Sequence, residues 1–193
     1  MARSKDFDEA EVLSKAVCIF WHKGYNGTSM QDLVEGLGIS RSSLYDTFGD
    51  KHALYIKALD SYQKAGDDQM CSIIKDEASA KEAIKKLLEL TTSALLEDEQ
   101  RKGCFMVNAE IELAAHDTEV KEMVCRNEQQ FEKAIYLAVK KGQDSGEIHK
   151  TQDALALARF IINAVRGMQV SAKATADKAF FDDIIKTTLS VLD

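Results

Sequence analysis

Proline is absent from all 193 residues. Helices can therefore run without the kink that a missing backbone N–H imposes, and turns must be made by glycine and short polar clusters. Aromatic residues make up only 7% of the chain, and β-branched runs are few, which weighs against a sheet-rich fold. No apolar stretch approaches the ~20 residues that would cross a bilayer. The opening residues MARSKDFDEAE carry no apolar segment after their charges, so no secretory signal is read there. Cys18, Cys71, Cys104 and Cys125 lack the close spacing of a disulfide framework or zinc set, which suits buried thiols in a reducing cytoplasm. Cys18 and His22 stand one helical turn apart with no second pair to complete a metal site. His116 beside Asp117 reads as helix-cap chemistry. There is no phosphate loop, serine elbow or dinucleotide glycine pattern. What remains is a cytoplasmic all-α protein with no metal, no cofactor, no membrane partner and no enzymatic site.

The chain is 45% hydrophobic, enough to bury a core without disulfides. Its net charge is −7 with a pI near 5.2, which excludes a generally basic nucleic-acid coat protein. The first 48 residues hold five cations (Arg3, Lys5, Lys15, Lys23, Arg41) against seven carboxylates. That balance opposes DNA binding by bulk charge and leaves only a small sequence-reading face.

Apolar residues at i, i+3, i+4, i+7 mark the first helices. Leu13, Ala16, Val17 and Phe20 stripe a helix over residues 8–23, stopped by Gly24. Thr28 is expected to cap a second helix, with Gln31 at the capping-box spacing. That helix carries Met30, Leu33, Val34 and Leu37 and ends at Gly38, where φ > 0 is expected. Ser40 caps a short third helix with Leu44 and Phe48 inward, closed by Gly49, and Asp50 caps a fourth. The passage into a second unit falls at Gly66-Asp67-Asp68 or in the polar run 75–79. Longer helices follow over 79–96, 104–115, 117–141, 151–168 and 179–192, with Asp117 and Thr151 as caps and Gly142 and Gly146 as breaks. The expected organisation is a three-helix helix-turn-helix unit in residues 1–50 and a helical unit in 51–193.

Residues 28–48 form helix, glycine turn, helix. Ile39 plugs the corner, while Leu44 and Phe48 hold the second helix to its bundle. The opposite face presents Arg41, Ser42, Ser43 and Tyr45, a polar display of the kind a major groove admits. The plainer alternatives are a solvated Arg41 and a Tyr45 that only rims the core. Trp21 reads as core or interface rather than as a base-stacking platform.

The pattern Thr28-Ser29, Asp32-Leu33-Val34, Gly38-Ile39-Ser40, Leu44-Tyr45, Phe48, Lys51 and Leu54 resembles the signature of the tetracycline-repressor family. The resemblance spans about residues 8–60. It implies an all-α homodimer that binds double-stranded operator DNA and answers to a small-molecule effector. It also implies base contacts from Arg41, Ser42 and Ser43, a backbone or thymine contact from Tyr45, and DNA contacts from Thr28, Gln31 and Lys51, with Thr28 and Lys51 clamping phosphates. Asp46 departs from the pattern and is not expected to touch DNA. A helical ligand-binding or adapter protein without DNA binding is the alternative from a different class.

Beyond residue 75 the resemblance carries architecture only, with the last two helices expected to form a four-helix dimer interface. The stripes Leu155, Ala158, Ile162, Val165 and Phe181, Ile184, Ile185, Leu192 suit that role, or packing on their own chain. Residues 103–114 resemble one subgroup that includes regulators answering to electrophiles. Cys104, following Gly103 at a helix start near Arg101 and Lys102, is accordingly a candidate sensing thiol, or a buried inert one. Asn108, Arg166 and Gln169, polar among apolar neighbours, are the other candidate effector residues.

Overall fold

The computed structural model describes residues 7–193, the side chain of Lys75 excepted. Arg3 and Lys5 lie outside the described residues. Among those described, the chain forms nine helices and no strand: α1 (Glu9–Lys23), α2 (Met30–Leu37), α3 (Arg41–Phe48), α4 (Lys51–Asp76), α5 (Ala80–Glu97), α6 (Phe105–Leu113), α7 (Thr118–Ser145), α8 (Ala154–Ser171) and α9 (Lys178–Ser190).

Most boundaries follow from local chemistry. Asp8, Ser40, Asp50, Ser79 and Asp117 each accept a backbone N–H from the first turn of the helix they precede. Gly38 closes α2 in the left-handed region at φ 69°, with no atom near the position of a Cβ. Three expectations need correction. The cap of α2 is Ser29, which forms a reciprocal capping box with Asp32, so Thr28 and Gln31 do not make that pair. Thr28 is turned inward and its hydroxyl donates to the Gly24 carbonyl at 2.6 Å. α8 is capped by Asp153, whose carboxylate reaches the N–H groups of Leu155 and Ala156; Thr151 stands too early in the chain to do so. α7 runs through Gly142 and ends only at Gly146. Glycine is required inside the helix at this point, because a Cβ on residue 142 would lie 2.6 Å from Ile148 Cδ1 and 2.9 Å from Ala80 Cβ. Likewise Gly66 lies inside α4, and the passage to the next helix is at residues 77–79.

Apolar burial is divided between two cores. The first joins Val12, Ala16 and Phe20 of α1, Leu33 and Leu37 of α2, Leu44 and Phe48 of α3 and Leu54, Tyr55, Ala58 and Leu59 of α4 with Phe105, Leu113 and Met123. The second joins α5, the later part of α7, α8 and α9 with Met70 and Ile73 from the far half of α4. Phe181, Ile185 and Leu192 are buried in this second core, as are Ala158, Ile162 and Val165. The expected interface stripes therefore pack on their own chain. The outward apolar residues of α8 and α9 are instead Phe160, Val170 and Phe180.

Candidate nucleic-acid interface and adjoining cavity

Helix α3 is held by its buried Leu44 and Phe48. Its other side exposes Arg41, Ser42 and Tyr45, with Ser43 half-buried. The Arg41 guanidinium lies 5.8 Å from the Tyr45 ring centroid, and Tyr45 is 43% exposed. The Ser40 hydroxyl lies 2.9 Å from those of both Ser42 and Ser43, so the N-terminus of α3 presents a cluster of hydroxyls. Such a helix, short, capped and polar outward, has the dimensions and donors that read base edges.

Beside it, Gln31 is exposed and donates to Glu35 within α2. Ser29, which the sequence pattern passed over in favour of Thr28, carries the exposed hydroxyl at the α2 N-terminus. Thr28 is 1% exposed and its N–H donates to Tyr25, so its side chain has no open face for a phosphate. Lys51 stands at the start of α4 with its ammonium 4.2 Å from the Tyr25 ring centroid, and burial lowers its pKa. Lys23 is engaged by Asp32 at 2.5 Å, a pairing that, with hydrogen bonds from Ser29, holds the Asp32 carboxyl far below the ordinary carboxylate range. The exposed Lys57, its ammonium 5.3 Å from the Phe48 ring, adds a further cation to this side of the molecule.

Two polar links bind this unit to the helices behind it, and a third ties the start of α4 to α7. The indole Nε1 of Trp21 on α1 donates to the Gly103 carbonyl at 3.1 Å. Glu112 on α6 accepts the N–H groups of Tyr25 and Asn26 in the α1–α2 turn. His52 Nε2 on α4 lies 2.7 Å from the carboxylate of Asp117, the cap of α7.

Between α4, α5, α6, α7 and α8 lies a cavity of ≈ 420 Å³, within the range of small-molecule sites. Cys104, Arg166 and Gln169 line it, together with Trp21, Tyr62 and Phe131, which sequence reasoning had not assigned to a site. Arg166 is not free: it pairs with Glu110 at 3.2 Å and Glu128 at 2.7 Å. Cys104 precedes α6 without a side-chain capping bond, and the Tyr62 hydroxyl donates to its Sγ at 3.8 Å. Burial, followed by the neighbouring Cys104, raises the pKa of Tyr62. Lys102 does not bring free positive charge to Cys104, since its ammonium is bound by Asp98 at 2.6 Å and stands over Trp21. Asn108, expected beside Cys104, Arg166 and Gln169, lies elsewhere. It is absent from the cavity wall; its amide donates to the Lys102 carbonyl and its oxygen accepts from Lys173. Among the described residues no group of His, Cys, Asp and Glu is arranged to hold a metal ion, and no helix is long and apolar enough to cross a membrane.

A polar display helix on a packed corner, joined to a helical body with a ligand-sized cavity open on one side, defines a helix-turn-helix regulator. Residues 12–58 match the family of bacterial regulatory proteins named for tetR, and residues 80–188 match the tetracyclin repressor-like C-terminal domain. The chain belongs to the TetR family of DNA-binding transcriptional regulators. It is 38% identical to the HTH-type transcriptional regulator YezE of Bacillus subtilis, with both chains covered in full. It is 28% identical to the HTH-type transcriptional repressor ComR of Escherichia coli, over 97% of this chain and 90% of ComR. A cysteine mutant of the TetR-family regulator CifR, solved with 26 bp double-strand operator DNA, is 26% identical and superimposes with a TM-score of 0.86, covering 99% of this chain and 100% of CifR.

Proposed function

We propose that the protein is a cytoplasmic repressor, not an enzyme, that binds a near-palindromic operator as a homodimer and releases it when a small molecule fills the cavity. Residues 1–50 act as the DNA-reading unit and 51–193 as the sensing and dimerising unit. Arg41, Ser42 and Ser43 are the base-edge contacts, and Tyr45, Gln31, Ser29 and Lys51 the backbone contacts. Cys104, Arg166 and Gln169, with Trp21 and Tyr62, are the effector contacts. The ComR and CifR likenesses support repression and operator binding respectively.

One observation carries the proposal: Trp21, a residue of α1 in the DNA-reading unit, is also part of the cavity wall. A ligand there touches the element that carries α2 and α3. Occupancy then favours whichever placement of α1 gives the ligand more contact, and by linkage the factor by which ligand lowers operator affinity equals that by which operator lowers ligand affinity. In a two-fold dimer the recognition helices must reach half-sites about 34–36 Å apart, so a small displacement of each unit spoils the fit.

The test is fluorescence anisotropy of the purified protein with the DNA upstream of its own gene and with a scrambled duplex, across a salt series. Selective binding whose logarithm falls linearly with log salt is expected. Equal affinity for both duplexes at every salt concentration would sink the proposal.

A further inference from the structure

The charge of the cavity wall is unbalanced. Four carboxylates line it, Asp67, Asp98, Glu110 and Glu128, against one cation, Arg166. Lys102 neutralises Asp98 at 2.6 Å. Arg166 is shared between Glu110 and Glu128, so one guanidinium serves two carboxylates. Asp67 has no cationic partner among the described residues; its one side-chain contact is a long hydrogen bond from Gln63 at 3.5 Å. Pairing therefore leaves an excess of negative charge facing an otherwise largely apolar space.

Resting on the reading of this cavity as the effector site, we propose that the effector is a small, mostly apolar cation, an amine or other onium compound, with its charge held by Asp67 and the Glu110–Glu128 pair. Burial raises the pKa of Asp67, an effect to which Asp68 adds and which the Gln63 hydrogen bond opposes. An incoming cation relieves that desolvation penalty, whereas an anion adds to it. An anionic effector also has no open partner, since taking Arg166 strands two partly buried carboxylates. The rings of Phe131 and Tyr62 offer faces on which an onium group is favoured.

Trp21 is the chain's single tryptophan and lies in the wall, so its fluorescence reports occupancy. The probes are 4-phenylbutylamine, 4-phenylbutanol and 4-phenylbutanoate, which share a body and differ in head-group charge. The full-length protein is titrated with each near neutral pH, alongside operator anisotropy. The amine is expected to bind about tenfold more tightly than the alcohol, with the acid weakest. Asp67→Asn and Glu128→Gln should each lower the ratio of amine to alcohol affinity. Equal or tighter binding of the alcohol or acid overturns the cation proposal and leaves the cavity as the effector site. An amine advantage that survives both substitutions overturns it too. If none of the three alters Trp21 fluorescence or operator binding, the cavity reading itself falls, and the cation proposal with it.

Discussion

The carboxylate of Glu112, in the last turn of α6, accepts the backbone N–H of Asn26 at 2.8 Å while its other oxygen takes that of Tyr25 at 3.0 Å. The turn that leads into the helix-turn-helix is thus gripped by a side chain from the helix that also lines the cavity. Glu112→Ala removes two charge-assisted bonds, and because Asn26 is exposed, water replaces part of the loss. Unfolding by urea should show a loss of about 1–2 kcal/mol. Ligand binding at the cavity should persist while its effect on operator affinity weakens. An unchanged urea midpoint together with unchanged effector response would show that the grip is idle.

Specificity and grip separate by residue. Arg41→Ala is expected to relax preference at one base position per half-site, by roughly 1–3 kcal/mol for a lost bidentate contact. Lys51→Ala should instead weaken all sequences alike and flatten the salt dependence. Anisotropy against a panel of single-base operator variants separates them; a uniform loss for Arg41→Ala would make Arg41 a phosphate contact.

Two glycines inside helices should respond in opposite directions. Gly66 in α4 has nothing within 4 Å of a Cβ position, so Gly66→Ala should stabilise by about 0.5–1 kcal/mol through lower unfolded-state entropy. Gly142→Ala drives a methyl into Ile148 and Ala80 and should destabilise by about 1–3 kcal/mol. Calorimetry should place the two melting temperatures on opposite sides of the parent; a rise for Gly142→Ala would mean the α5–α7 contact gives way freely.

Acid should loosen the start of α5. Burial opposes ionisation of Glu147, but hydrogen bonds from the Ser79 hydroxyl and the N–H groups of Lys81 and Ala80, with the charge of Lys81, prevail and hold its pKa below the ordinary 4.5. A depressed folded-state pKa contributes stability that is present above the unfolded value and disappears as pH falls through the folded one. The stability difference between the parent and Glu147→Gln should therefore be full near neutrality and shrink below about pH 4.5. Urea midpoints over that range check it, and a difference independent of pH would contradict the assignment.

Phe160 on α8 is 47% exposed and, with Val170 and Phe180, leaves apolar surface on the last two helices. In the proposed dimer that surface is covered by the partner. Phe160→Asp should shift sedimentation at micromolar protein toward monomer and weaken operator binding while retaining the helical circular dichroism. A mutant dimer as tight as the parent would move the interface elsewhere.

What could be read from residues alone was mostly what neighbouring residues decide. Ser40, Asp50 and Asp117 cap because an acceptor precedes an apolar periodicity, and Gly24 and Gly38 stop helices because the chain there takes positive φ. Thr28 and Ser29 were inverted because both hydroxyls precede α2, and only the tertiary burial of Thr28 tells them apart. Gly142 looked like a stop because its reason, the close approach of Ile148 and Ala80, is not local. The stripes of α8 and α9 carried apolarity but not direction, so inward and partner-facing sides were indistinguishable until Phe160 and Phe180 were seen outside. Asn108 and Arg166 were equally plausible in sequence, and only the second lines the cavity. Glu112 was missed altogether, although a carboxylate in so apolar a segment as Phe105–Leu113 was a signal that it had a distant partner.

Helix α4 belongs to both cores, with Leu54 and Leu59 seated in one and Met70 and Ile73 in the other. Its 26 residues contain no proline and no break. At 1.5 Å per residue it is a stiff rod of about 39 Å, so a tilt of roughly 5° at one end carries the other through about 3 Å. In the proposed mechanism, a ligand that tilted this rod by that amount would shift its DNA-reading end by a distance comparable to a base-pair step. In that mechanism α4 would serve as a lever arm whose gain is set by its length. Inserting even one proline near its middle would leave both ends folded and disconnect the signal.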